Sequence, residues 1–156
     1  MRSFTLAAAA SLSLACLQPL GAQVATKKIL TLEGAKKAAA AAEAEAKKRN
    51  LGCVIVVVDD EGELLFLERL DNTQVGSIAV GIGKARTAGR FRRPTRDFEE
   101  QVKNGRLATL VLPDATPLEG AVPILSDGVF VGAIGVSGDT PRIDAEIAMA
   151  GAAAIR

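Results

Sequence analysis

Between positions 84 and 96 the chain carries Lys84, Arg86, Arg90, Arg92, Arg93 and Arg96, with no acidic residue among them. A guanidinium holds a carboxylate or phosphate through two parallel hydrogen bonds, so such a run suits an anionic ligand. It equally suits a solvated helix end, where the dipole favours positive charge and Asp97, Glu99 and Glu100 follow closely. A second candidate is Gly132-Ala133-Ile134-Gly135-Val136-Ser137-Gly138. Missing side chains there let backbone amides approach a ligand, and a helix start at Pro141 would favour an anion. Glycines in a strand also let a helix pack tightly on a sheet.

The chain contains no histidine, tryptophan or tyrosine. This excludes Ser-His-Asp and Cys-His nucleophile pairs, His-containing zinc sites and a histidine ligand to haem. No serine, cysteine or carboxylate pair is accompanied by a recognisable activating base, so the residues define no catalytic mechanism. Gly81-Ile82-Gly83-Lys84 resembles a phosphate loop only briefly: Ile78 stands where its first glycine belongs, and Ala85 follows the lysine. Asp59, Asp60, Glu61 and Glu63 could hold a cation, but read better as a solvated turn. Cys53 opens a β-branched run, where a thiol is usually a small apolar filler; a reactive or metal-binding role would depend on its environment.

These residues sit in 156 positions that are 49% hydrophobic and 24% charged, the composition of one folded domain. A net charge of +1 and 3% aromatic residues argue against a nucleic-acid partner. Met1-Arg2, an apolar stretch over 4–20 and the small pair Gly21-Ala22 form a secretory signal pattern. The stretch is short and alanine-rich for a membrane span. Residues 1–22 are therefore expected to direct export to the periplasm or beyond, leaving residues 23–156 as a single domain. Their removal takes away Arg2 and Cys16, so the remaining charges balance and Cys53 has no disulfide partner.

Thr31 is placed to cap a helix from Leu32 to about Asn50, with Ala35, Ala38, Ala39, Ala42 and Ala46 on one face. Cys53–Asp59 and Glu63–Leu70 flank a turn and read as a hairpin; Val122–Ser126 and Val129–Val136 around Asp127-Gly128 read as another. A helix is expected over Ser77–Phe91, with Ile78, Ile82, Ala85 and Ala88-Gly89 on its apolar side. A short helix over Arg96–Lys103 follows, with Thr95 as its cap. Leu107–Leu112 is apolar and of undefined type, and Thr140-Pro141 opens a last helix to about Ala154. Strands arriving as hairpins with helices around them define an antiparallel α+β domain.

In order along the chain, several motifs resemble the GlcG/HbpS-like haem-binding family. They are Leu30-Thr31-Leu32-Glu33, Val56-Val57-Val58-Asp59 with Gly62, Glu68-Arg69-Leu70-Asp71, Lys84-Ala85-Arg86-Thr87-Ala88, Arg93-Pro94-Thr95, the segment from Pro117 to Pro123, and Asp127-Gly128 followed by Gly132 to Gly138. The resemblance spans roughly residues 28–154. It implies profilin-like α/β/α layers, homo-oligomers and, in some members, export and haem handling. It points to Arg69, Asp71, Lys84, Thr87, Pro94, Thr95, Gly120, Pro123, Ser137 and Gly138 as recurrent positions. Asn72 and Ala121 stand where the family has glycine, and no histidine is present for iron. Haem would then be held by its apolar face and propionates, with Lys84, Arg86 or Arg93 pairing the carboxylates and Thr95 as a weak oxygen ligand; Cys53 and Met149 are the remaining sulfur donors. Gly120, Ser137 and Gly138 complete the expected binding set. Two further readings compete: an enzyme or pathway accessory holding a small organic acid on the Lys84–Arg96 run, and a structural partner of another exported or membrane protein.

Overall fold

Thr31 Oγ1 accepts a hydrogen bond from Gly34 N at 3.1 Å and starts helix α1 (Leu32–Lys48), as the spacing predicts. The computed structural model describes residues 24–156, so the expected export segment 1–22 falls outside the described residues. The elements that follow are β1 (Val54–Asp59), β2 (Leu64–Arg69), α2 (Ser77–Phe91), α3 (Arg96–Lys103), β3 (Ala121–Ser126), β4 (Val129–Ser137) and α4 (Pro141–Ala152). The undefined stretch at Leu107–Val111 is a 3-10 helix.

The sheet order is β2-β1-β4-β3, and every neighbouring pair is antiparallel. Two hairpins are thus joined through their inner strands, with Val54 opposite Ser137 and Asp59 opposite Gly132. Cys53, Ile55 and Val57 face the layer made by α1 and α4, while Val54, Val56 and Val58 face α2. Burial on both faces explains why β1 is an unbroken β-branched run without alternation. The result is the expected α+β class, built as α/β/α layers around an antiparallel sheet.

Small residues set the spacing between layers. A β-carbon on Gly135 would come within 2.7 Å of the Ala85 backbone nitrogen, so α2 lies directly on β4. The alanine face expected on α1 is the buried one. On α2 the expected apolar side faces the core: Ala85, Ala88 and Gly89 are buried, Ile78 and Ile82 pack partly buried against the same cluster, and Ser77, Gly81, Lys84 and Thr87 are buried as well. Glycine and alanine admit a helix too closely for larger side chains, so the bulky residues are displaced to its flanks. Thr95 is not a cap: its backbone is already helical and its hydroxyl makes no bond to α3. Among the described residues no helix is long and apolar enough to cross a membrane.

Candidate functional site

Lys84, on α2, is 3% exposed and donates to Asp144 Oδ2 of α4 at 2.7 Å and to the Val136 carbonyl of β4 at 3.2 Å. The ion pair therefore joins the two helical layers past the end of the sheet. The Asp139 amide donates to Asp144 Oδ1 at 3.0 Å. Burial pushes the Asp144 carboxyl above the usual carboxylate range, with the Lys84 ammonium and the backbone amides pulling against it.

Gly120 closes this pair from the third side. Its φ is +136°, and a β-carbon there would sit 2.6 Å from Lys84 Nζ and 3.0 Å from Asp144 Cβ. Its carbonyl accepts from Val136 N at 2.8 Å. One residue on, the Ala121 amide donates to Thr95 Oγ1 at 3.0 Å, and Thr95 N returns a bond to the Ala121 carbonyl at 3.0 Å. Thr95, Gly120, Lys84 and Asp144 thus form a continuous buried framework. Lys84 and Thr95 are both buried, Lys84 bonded to Asp144 and the Val136 carbonyl and Thr95 to the Ala121 amide.

Outside this framework a groove of about 390 Å³ opens between α3 and α4 over the start of β3. Pro94, Ala121, Val122, Ala145 and Met149 give it an apolar floor, and Arg96 stands at its edge with Asp97, Glu100 and Glu119. Arg96, Glu100 and Glu119 also border an adjoining depression of about 180 Å³ that reaches Lys103 and Arg142. Met149 is 51% exposed.

The rest of the basic run does not form one patch. Arg90 pairs with Asp114 at 2.7 Å and Glu63 at 2.8 Å, and Arg86 lies 3.6 Å from Glu63. Arg92 stacks over Phe130 and Arg93 over Phe98, the latter at 4.1 Å. Arg96 bonds Glu100 at 2.7 Å. Arg86 borders a separate depression of about 400 Å³ with Asp114, Ala115 and Thr116, and its Nε is buried with no hydrogen-bond partner among the described residues. Ser137 is buried in β4, and Gly138 packs so tightly that a β-carbon would meet Cys53 Cβ at 2.6 Å. These two pack closely at the end of the sheet.

Cys53 is 1% exposed, and burial pushes its thiol up to about 12. It is an apolar filler in this environment. The acidic turn is internally bonded: Asp59 Oδ1 accepts from the amides of Glu61 and Glu63, and Lys27 pairs with Asp60 and Glu61. Asp144 escaped the sequence reading, although a signal for it exists. It shares a helical face with Ile147, Ala148 and Gly151, all buried, and an acid at core spacing demands a partner.

The fold and this framework define a small α/β/α class built on an antiparallel sheet, and comparison with known proteins makes the class specific. Residues 30–153 match the family model described as haem degrading protein HbpS-like, and the chain belongs to that family. It is 45% identical to protein GlcG of Escherichia coli K12 over 112 residues, covering 72% of this chain and 84% of GlcG. The 15.0 kDa protein of the dhaT-dhaS intergenic region of Citrobacter freundii is 36% identical over 126 residues, covering 78% of this chain and 87% of that one. The crystal structure of HbpS superposes with a TM-score of 0.79 at 31% identity, covering 87% of this chain and 96% of HbpS.

Proposed function

We propose that this protein binds haem in the α3–α4 groove. The observation that carries this reading is membership of the haem degrading HbpS-like family; in the groove Ala121, Val122, Ala145 and Met149 form an apolar floor, while Arg96 is bonded to Glu100 and stands with Asp97 and Glu119 at the edge. A flat apolar macrocycle would lie on that floor with its carboxylates directed away from the acidic edge. The donor set fits a weakly held iron. The chain has no histidine or tyrosine, Cys53 is enclosed in the core, and Met149 offers a thioether at the groove. Membership of a family described by haem degradation supports the same ligand. Haem when bound would supply iron and redox chemistry; the protein's residues would seat it and shield one face.

Titration of the purified protein with haemin tests this. A saturable Soret change is expected, weakened at least about tenfold by Val122→Asp, which places a charge on the apolar floor. Absence of a saturable change in the unaltered protein overturns the reading.

Export and self-assembly belong to the same proposal. The apolar stretch at 4–20 supports export, and the free edge of β2, with Leu64, Leu65, Phe66 and Leu67 only partly covered, supports packing against further copies.

A second reading is a binder of small organic acids, an enzyme or pathway accessory. The unpartnered Nε of Arg86 beside the 400 Å³ depression favours it. Calorimetric titration with lactate, malonate and succinate separates the two: binding abolished by Arg86→Ala and unaffected by Val122→Asp selects the acid.

A further inference from the structure

We infer that the acidic edge of the α3–α4 groove is a subsite for an organic cation, so that the groove takes a small ligand joining an apolar body to an ammonium group. This inference goes beyond the haem reading and does not require it. The lining carries three carboxylates, Asp97, Glu100 and Glu119, against the single guanidinium of Arg96. Arg96 Nε donates to Glu100 Oε1 at 2.7 Å, so those two charges answer each other. The cations of the adjoining depression are engaged as well, Lys103 with Glu99 at 2.6 Å and Arg142 with Glu146 at 3.1 Å. Among the described residues no lysine or arginine nitrogen lies within ion-pair distance of Asp97 or Glu119.

Excess charge beside an apolar surface selects a particular partner. Asp97 and Glu119 are partly buried, and the floor of Val122, Ala145 and Met149 beside them is a low-dielectric wall that concentrates their field. An anion is repelled by this edge, and a neutral apolar molecule gains from the floor alone. An alkylammonium gains from both, with its stem on the apolar side chains and its head at the carboxylates, as a lysine divides between apolar and polar surroundings. The backbone that carries the edge is already fixed. The Glu119 amide donates to Glu99 Oε2 at 2.6 Å, and the next residue, Gly120, packs against the buried Lys84–Asp144 pair. Asp97 lies in the first turn of α3, its amide donating to the Pro94 carbonyl at 3.2 Å. Fixed positions for both acids lower the ordering cost of binding. The groove's volume of about 390 Å³ suits a small molecule.

Calorimetric titration of the full chain with hexylammonium, hexanol and hexanoate tests this, because the probes share one stem and differ in charge. At low ionic strength hexylammonium should bind about fivefold more tightly than hexanol, and hexanoate more weakly than either. The preference should shrink as salt is raised, since both carboxylates remain open to solvent. Asp97→Asn combined with Glu119→Gln should abolish the preference while hexanol still binds, because the apolar floor is untouched. Equal affinities for hexylammonium and hexanol overturn the inference. So does a preference that survives in the double variant, or the absence of saturable heat with hexylammonium. Haemin titrated into the unaltered protein is read separately. A saturable Soret change without an ammonium preference overturns this inference alone; an ammonium preference without a Soret change overturns the haem reading alone.

Discussion

A β-carbon on Gly120 would lie 2.6 Å from the ammonium nitrogen of Lys84. The glycine is needed twice over, because its φ of +136° is outside the range that side-chain-bearing residues ordinarily adopt. Gly120→Ala should therefore cost about 2–3 kcal/mol from backbone strain and displacement of the ion pair. Urea melts followed by circular dichroism measure it. A loss indistinguishable from zero would show that the lysine can move aside freely.

The Lys84–Asp144 pair invites a double-mutant cycle. Lys84→Met leaves a buried carboxylate without its counter-charge and should cost about 3–5 kcal/mol. Adding Asp144→Leu removes the uncompensated charge, so the double variant should recover most of the loss. Additive losses in the denaturation midpoints would contradict this coupling.

Thr95→Val keeps the side-chain shape and removes the oxygen that receives the Ala121 amide. A buried amide left without an acceptor costs about 1–3 kcal/mol. Thr95→Ser retains the hydroxyl and should lose much less. Equal stability of the valine and serine variants would show that the hydroxyl contributes nothing there.

Cys53 yields a chemical prediction and a pH prediction. In the native protein at pH 8 its thiol should resist iodoacetamide, and it should react once urea unfolds the chain; peptide mass mapping distinguishes it from Cys16. Its folded pKa of about 12 lies above the ordinary 9.0, so the native state keeps a proton that the unfolded state releases. Its contribution to stability is complete below pH 9 and falls as pH rises from about 9 toward 12. Thermal melts across that range should show a smaller decline for Cys53→Ala than for the native protein.

Local patterns exposed most of the scaffold and little of the site. Thr31 and the alanine face of α1 follow from nearest neighbours along one helix, and the hairpins follow from short turns between β-branched runs. Thr95 looked like a cap because the residues after it are helical; its actual partner, Ala121, lies across a loop that no local pattern connects. Lys84 looked like part of a surface charge run, but it shares its helical face with Gly81 and Ala88, which are pressed to the sheet. Asp144 carries the same kind of mark on α4. Each was a charged residue at core spacing, and the two together specified a contact that neither helix could reveal alone.

The pairing of Val54 with Ser137 also determines when the protein can fold. Each hairpin closes over a short turn, whereas the inner strands meet only after the long connection between them has been drawn in. A nascent chain that ends before Val129 has made β1 and its hairpin partner but not the strand that covers its other edge. Such a fragment exposes a β-branched edge, a ready template for mispairing. Native structure is therefore committed late, when the final strand and α4 become available to the rest of the chain.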